Sequence, residues 1–290
     1  MKILIIPDVH GNWKETIQYI KDHKDEVDFV VTLGDYVDDF DESLNGLNMI
    51  TGFKELCEMT RAEPDKFRIC IGNHDLSYIS DPHVSGHHYQ FSADYKRMFF
   101  DNLDIMDVIV EIDGWMFSHA GVSEKWYKYF VGNACPNKSG NYFRVIPKEE
   151  WEAIKGQPVK EINKIFHSGV FGHFDYYDGA GDWGDGNSPL QGPLWIRPPS
   201  LLSYPLFDKQ VIGHTETYLK EPIPVEVESG KVVVLTDTTK HNNYLVLDTE
   251  NPWKPIKEKE MNKFIKTRLK EINDAKARAG QEKKDAEKNS

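Results

Sequence analysis

Asp8 and His10 stand two positions apart, directly after the apolar run Ile3-Leu4-Ile5-Ile6. Residues i and i+2 of an extended segment point the same way. A carboxylate and an imidazole so placed can reach one metal ion. A lone Asp-x-His is also an ordinary polar loop, so recurrence carries the weight. Val27 to Leu33 runs into Gly34-Asp35-Tyr36-Val37-Asp38, and Phe67 to Ile71 into Gly72-Asn73-His74-Asp75. Trp115-Met116-Phe117 precedes Ser118-His119-Ala120-Gly121, and Val211-Ile212 precedes Gly213-His214-Thr215. Each apolar run delivers Asp, Asn or His at its end, usually beside a glycine that tolerates a tight turn. Asp8, His10, Asp35, Asn73, His119 and His214 form a nitrogen and oxygen donor set large enough for two divalent cations. Two carboxylates, one amide and three imidazoles, with no thiolate, suit Mn, Fe, Zn or Ni better than Ca; Mn²⁺ is the expected ion.

The elements behind these residues follow from the pattern. Four- to six-residue apolar runs read as buried strands, and ligands gather at the carboxyl ends of strands in α/β proteins. Trp13 to Asp28 reads as a helix, with Trp13, Ile17 and Ile20 at helical spacing and Asn12 as its cap. Strand, helix and strand then form a βαβ unit, so the first two strands are expected to be parallel. Phe40 to Met49 is a loop or short helix, and Met49 to Arg61 is helical. Asp81 to His88 is a polar loop, and Phe91 to Phe100 a helix flanking the site. His83, His87 and His88 have no strand end to position them, so a solvated loop is their simpler reading. Asp113-Gly114 and Ser229-Gly230 mark hairpins. Lys148 to Phe166 reads as helices broken near Gly156-Gln157-Pro158, and Asn243 to Leu247 as a last strand. Gly169 to Pro199 reads as a mobile surface loop; its Asp178, Asp182 and Asp185 lack the order of a calcium loop.

The ordered series Asp8-x-His10, Gly34-Asp35-x-x-Asp38, Gly72-Asn73-His74-Asp75, His119-Ala120-Gly121 and Gly213-His214-Thr215 resembles the calcineurin-like metallophosphoesterases. It is most similar to bacterial and phage members of their phosphoprotein-phosphatase branch. The motifs span residues 3 to 215. The resemblance implies an α/β fold, a four-layer α-β-β-α sandwich of two packed mixed sheets flanked by helices. It implies a dinuclear centre in which Asp35 reaches both ions. Asp8 and His10 complete the first position, and Asn73, His119 and His214 the second. Such a centre acidifies water and stabilises both oxygens of an in-line displacement. The resemblance places His74 beside the leaving-group oxygen as general acid, with Asp38 fixing its tautomer. It also places Asn73, His74 and Arg197 about the substrate phosphate. Asp75 is read as bracing its turn.

Two departures bear on the substrate. Where the protein phosphatases carry arginines, this chain has Asp39 and Ile71. Arg197, in Leu194-Trp195-Ile196-Arg197, stands as a partial replacement, because a guanidinium fork suits phosphate oxygens. The expected activity is hydrolysis of phosphate monoesters, including Ser/Thr phosphoprotein. A phosphodiesterase or dinucleoside-polyphosphate pyrophosphohydrolase with the same centre is the alternative. A scaffold with vestigial activity is disfavoured by the complete ligand set.

Composition agrees. The chain has 290 residues, 39% hydrophobic, with a net charge of −12. That balance opposes broad binding to nucleic-acid backbone. Residues 254–290 carry 12 Lys/Arg against 7 Asp/Glu, so this end is basic and the remainder strongly acidic. The expected division is a catalytic domain over 1–252 and a charged helix with a frayed tail over 253–290. Met261, Phe264, Ile265, Leu269 and Ile272 give that helix a narrow apolar stripe. Three scattered cysteines, Cys57, Cys70 and Cys135, argue against a disulfide framework or zinc pair. The first strand starts at the N-terminus, and no apolar run approaches the ~20 residues of a membrane span. A cytoplasmic protein is expected, in the host cytoplasm if phage-encoded, with a phosphate ester as its partner and no membrane. Oligomeric state stays open.

Overall fold

A computed structural model describes residues 1–80, 84–134, 148–174, 186–217, 219, 221–238, 244–261, 263–264, 266–267 and 270. In chain order the elements are β1 (Lys2–Ile6), α1 (Trp13–His23), β2 (Phe29–Thr32), α2 (Leu47–Ala62), β3 (Phe67–Cys70), α3 (Asn73–Ser80) and α4 (Ser92–Phe100). Then follow β4 (Met106–Asp107), β5 (Ile109–Ile112), β6 (Trp115–Ser118), α5 (Glu124–Ala134), α6 (Lys148–Ile154) and α7 (Pro158–His167). The last are α8 (Ser200–Ser203), β7 (Lys209–Ile212), β8 (Ile223–Glu226), β9 (Val232–Leu235), β10 (Leu245–Asp248) and β11 (Ile256–Lys257).

Two mixed sheets form. One has the order β10-β1-β2-β3-β4, the other β11-β8-β9-β7-β6-β5. In the first, β1, β2 and β3 are parallel neighbours, while β10 pairs antiparallel with β1. In the second, β6, β7 and β9 are parallel neighbours. The run Ile3 to Ile6 is continuously apolar because both faces of β1 are covered, as in any strand buried within a layered fold. Ile3 and Ile5 meet Val110, Ile112, Phe117, Val211 and Val234 between the sheets. Leu4 and Ile6 turn the other way, onto Trp13, Ile17, Ile20, Phe53 and Leu56 of α1 and α2. The far face of the second sheet, with Ile223, Val225, Val233 and Leu235, is covered by Ile196, Leu201 and Leu202, with Met261 and Phe264 packed on it. This is the two-sheet α/β sandwich that the motifs implied. Burying each such side chain contributes about 1.5–3 kcal/mol.

Several expectations shift in detail. α1 closes at His23, and residues 24–26 form a 3₁₀ turn, so the helix stops short of Asp28. Asn12 occupies the cap position without a side-chain cap bond. Asn73 opens a helix, α3, whose short mixed sequence gives no periodic signal. α5 is also absent from the sequence reading, although Trp126 and Phe130 are buried four residues apart. Residues 186–199 do not form a surface loop: Leu194 and Ile196 are fully buried and tie the segment to the core. Asp178, Asp182, Asp185, His83, Cys135, Ile265, Leu269 and Ile272 lie outside the described residues, or have undescribed side chains. Among the described residues no helix is long and apolar enough to cross a membrane.

Candidate metal centre

Six parallel strands, three from each sheet, end at the same edge. Asp8 and His10 follow β1, Asp35 and Asp38 follow β2, and Asn73 and His74 follow β3. His119 follows β6, His214 follows β7, and Asp237 follows β9. The turns there are tight. Gly34 adopts φ +106°, and a Cβ on it would lie 2.3 Å from the Gly72 nitrogen. The loops after β2 and β3 therefore touch backbone to backbone, which only glycine allows. Asp75, fully buried, locks them: its carboxylate accepts N–H bonds from Asp35 at 2.9 Å, Tyr36 at 2.7 Å and Gly72 at 2.8 Å. Burial pushes its carboxyl up, to about 8. Asp75 thus braces the turn, as its position beside the Gly-Asn-His motif suggested.

Backbone strain concentrates here. Five described non-glycine residues have positive φ, and four are His10 (46°), Asp35 (54°), Asp38 (66°) and His214 (59°). The fifth, Asp113, turns the β5–β6 hairpin. Conformations costing of order 1–3 kcal/mol each persist where the surroundings over-determine them, and such residues cluster at functional sites.

The six donors predicted from the strand ends converge. Oxygen and nitrogen atoms of Asp8, His10 and Asp35 lie within 4.8 Å of one another, as do those of Asp35, His119 and His214. Asp35 belongs to both groups. Asn73 Oδ1 lies 2.7 Å from His119 Nε2 and 3.1 Å from His214 Nδ1, joining the second group. Each histidine donates one ring N–H to a backbone carbonyl, since a carbonyl only accepts. His10 Nδ1 donates to Asp38 at 2.5 Å, His119 Nδ1 to Leu33 at 2.9 Å, and His214 Nε2 to Trp195 at 3.2 Å. The opposite nitrogen of each ring keeps a bare lone pair directed into the cluster. Metal-binding histidines are oriented in this way. Burial lowers the pKa of His119 and, more strongly, that of His214, favouring the neutral ligand form. Burial opposes ionisation of Asp35, yet the positive field of the histidines around it outweighs burial and holds this carboxyl well below the usual range. The donor set fits divalent cations: no thiolate, several nitrogens, and a carboxylate shared between two groups.

Beside the cluster, His74 Nδ1 meets Asp38 Oδ2 at 3.0 Å. Burial disfavours the imidazolium, but Asp35 and Asp38 prevail and raise the His74 pKa. The Tyr78 hydroxyl donates to the other oxygen of Asp38 at 2.5 Å, so the pair is held from behind. Tyr78 has no mark in the sequence that singles it out. Arg197 donates to the His214 carbonyl at 2.9 Å and faces a cleft of about 630 Å³ over the cluster. Asp39 also lines the cleft, but it accepts the Gly11 N–H at 3.0 Å and the Asp41 N–H at 2.8 Å, tying loops together. Ile71, the other departure, is buried in the core. His87 and His88 stand outside the cluster. His87 stacks on Tyr78 with ring centroids 4.2 Å apart, and His88 donates to the Asp39 carbonyl at 3.2 Å.

Asp237 is a further site residue that the sequence motifs do not include. It is buried and lines the cleft. Burial, then the charges of Asp237 and Asp35, push the Asp8 carboxyl up. Part of the same signal marks Asp237, an apolar run (Val232 to Leu235) followed closely by a carboxylate but with no glycine beside it.

Comparison with known proteins agrees with this geometry. The chain matches the family model for calcineurin-like phosphoesterases over residues 1–218. No curated protein was detected as a relative. A point mutant of a cold-active protein tyrosine phosphatase is 16% identical over 86% of this chain and 75% of its own, with TM-score 0.51. The cold-active phosphatase of a psychrophilic Shewanella species has the same identity and coverage, with TM-score 0.49. A protein serine/threonine phosphatase from Saccharomyces cerevisiae is 16% identical over 82% of this chain and 67% of its own, with TM-score 0.42. At this identity the first of these likenesses speaks for the fold alone. Family model, strand-end motifs and clustered donors together make the chain a member of the calcineurin-like phosphoesterase family.

Proposed function

We propose that this phosphoesterase hydrolyses phosphate monoesters at a centre holding two divalent cations. The observation that carries this reading is the pair of three-residue donor groups sharing Asp35. Asp8, His10 and Asp35 would hold one ion, and Asp35, Asn73, His119 and His214 the other; the mixed oxygen and nitrogen donors accept Mn, Fe, Zn or Ni, and Mn²⁺ is the ion expected. Two bound cations supply Lewis acidity, which activates water and neutralises charge on the transferred phosphoryl group.

The chain's own residues do the rest. Asn73 and His74 face the phosphate from the start of α3. His74, kept protonated by Asp35 and Asp38, gives its proton to the departing oxygen; Asp38 fixes the ring so that Nε2 is the donating atom. Tyr78 and the Val37–Asp38 carbonyls around His10 keep the acid pair and the donor groups in register. Arg197, anchored by the His214 carbonyl, offers its remaining N–H groups to a phosphate oxygen.

The monoester reading is favoured over a pyrophosphohydrolase by the charge of the cleft. Arg197 is the one Arg or Lys among its described lining residues, while Asp39, Glu216 and Asp237 add negative charge beyond the donor groups. A polyphosphate chain would meet more repulsion there than a single phosphate.

Metal-stripped protein refilled with Mn²⁺ tests the proposal. We expect about two ions per chain by calorimetry, and faster turnover of p-nitrophenyl phosphate than of bis-p-nitrophenyl phosphate. Diester preference would transfer the centre to phosphodiester chemistry. Absence of divalent binding would refute it.

A further inference from the structure

Phe40 (84% exposed), Leu47 (77%) and Tyr89 (68%) are the most exposed large apolar side chains among the described residues, and all three lie on two segments, 38–47 and 84–91. These segments abut. His88 bonds the Asp39 carbonyl, and its Nδ1 stands 3.5 Å from Glu42. The Gly46 N–H donates to the Tyr95 hydroxyl at 2.7 Å, and a Cβ on Gly46 would strike the Phe91 ring at 2.6 Å. The Asn45 amide donates to the carbonyls of Asp39 at 2.7 Å and Asp41 at 3.2 Å. The exposed side chains therefore stand on a braced platform. That platform runs into the cleft, because Asp39, Phe40, Val84, Ser85 and Gly86 line it.

A single exposed apolar residue needs no explanation, but Phe40 lines the cleft and Leu47 and Tyr89 stand on the same two abutting segments, and such a grouping marks a contact surface. Bracing lowers the ordering cost of binding there. The charge is one-sided as well. Residues 25–53 and 84–95 contain no Lys or Arg, while 38–47 contain Asp38, Asp39, Asp41 and Glu42. A small phosphate ester would occupy the cleft and leave this surface bare. A second copy of the chain, meeting it face to face, would oppose acidic segment to acidic segment.

We propose that this rim docks the polypeptide of a phosphoprotein substrate, taking apolar and basic residues next to the phosphorylated one. The inference rests on the phosphomonoesterase reading and names its substrate class.

The test uses the Mn²⁺-loaded full chain with three probes. One is a ten-residue phosphoserine peptide with Leu and Arg flanks, the second its counterpart with Ser and Glu flanks, the third p-nitrophenyl phosphate. The wild type should favour the first peptide over the second by about tenfold or more in kcat/KM. The double variant Leu47→Ser with Tyr89→Ser should lose about tenfold on the first peptide through KM, with p-nitrophenyl phosphate turnover and urea midpoint unchanged. Equal use of the two peptides, or a preference untouched by the variant, would overturn the docking surface alone. A sedimentation dimer split by the variant, with peptide kinetics unchanged, would give the rim to a second copy and overturn it as well. If the wild type takes up Mn²⁺ but hydrolyses no probe, or takes up none, the phosphomonoesterase reading fails and this inference with it.

Discussion

On the floor of the cleft, Asp8, Asp35, Asn73, His119 and His214 are almost wholly buried, and each follows a strand. At the rim, Phe40, Leu47 and Tyr89 are mostly exposed and stand on loops or at the first residue of a helix. The floor is held by long-range mesh: the Val9 and His10 N–H groups bond the Asp35 carbonyl, and the His214 N–H bonds Asp8. The rim is held mainly by bonds between its two segments and to Tyr95, and it joins the floor through Asp39, which accepts the Gly11 N–H. Its outermost side chains, Leu47 and Tyr89, can therefore change with little effect on the floor. Cleavage chemistry belongs to a scaffold that tolerates little, and selection to a surface that tolerates much.

Substitutions of graded severity separate the two. Asp35→Asn strikes both donor groups at once. It should abolish calorimetric uptake of divalent ions and cut turnover by about 10³-fold or more; retention of one tight ion would show that Asp35 is not shared. His74→Asn should leave ion stoichiometry intact and lower turnover of an alkyl phosphate by about 10²-fold. The loss should be smaller for p-nitrophenyl phosphate, whose leaving group needs less protonation; equal losses would remove His74 from the acid role. Gly34→Ala places a methyl against Gly72 and should cost about 2–3 kcal/mol in urea unfolding. A wild-type midpoint would mean that the two loops are looser than they look. Asp237→Asn removes charge beside Asp8 without removing a predicted ligand. Mn²⁺ affinity at one position should weaken by about tenfold, the lower end for residues that support ligands. Leu47→Ser, at the rim, should shift stability by no more than about 0.5 kcal/mol.

Legibility divides along the same line. A strand end announces its ligand locally: an apolar run, a glycine and a donor within a few residues. That is why Asp8, His10, Asp35, Asn73, His119 and His214 can be named before any coordinates. Asp237 carries part of the same local mark and goes unread because no glycine accompanies it. The rim has no local mark. Its platform arises from Gly46 meeting Phe91 and His88 meeting Asp39, pairs 45 and 49 residues apart that follow no periodicity. Tyr78 is hidden for a related reason. Its hydroxyl matters only because α3 turns it toward Asp38, and α3 is too short and mixed to show a helical period.

The first strand finds one of its two neighbours very late. β1 pairs with β2 on one side, but its other edge is closed by β10, with Lys2 opposite Asp248. During synthesis the N-terminal strand waits with an open edge until almost the whole catalytic body has been made. Such an edge invites pairing with other chains. A nascent chain stopped before Leu245 would carry all the proposed ligands and still lack the strand that seals its oldest edge. Aggregation of chains truncated before Leu245, rather than loss of ion-binding residues, is the failure that this topology makes costly.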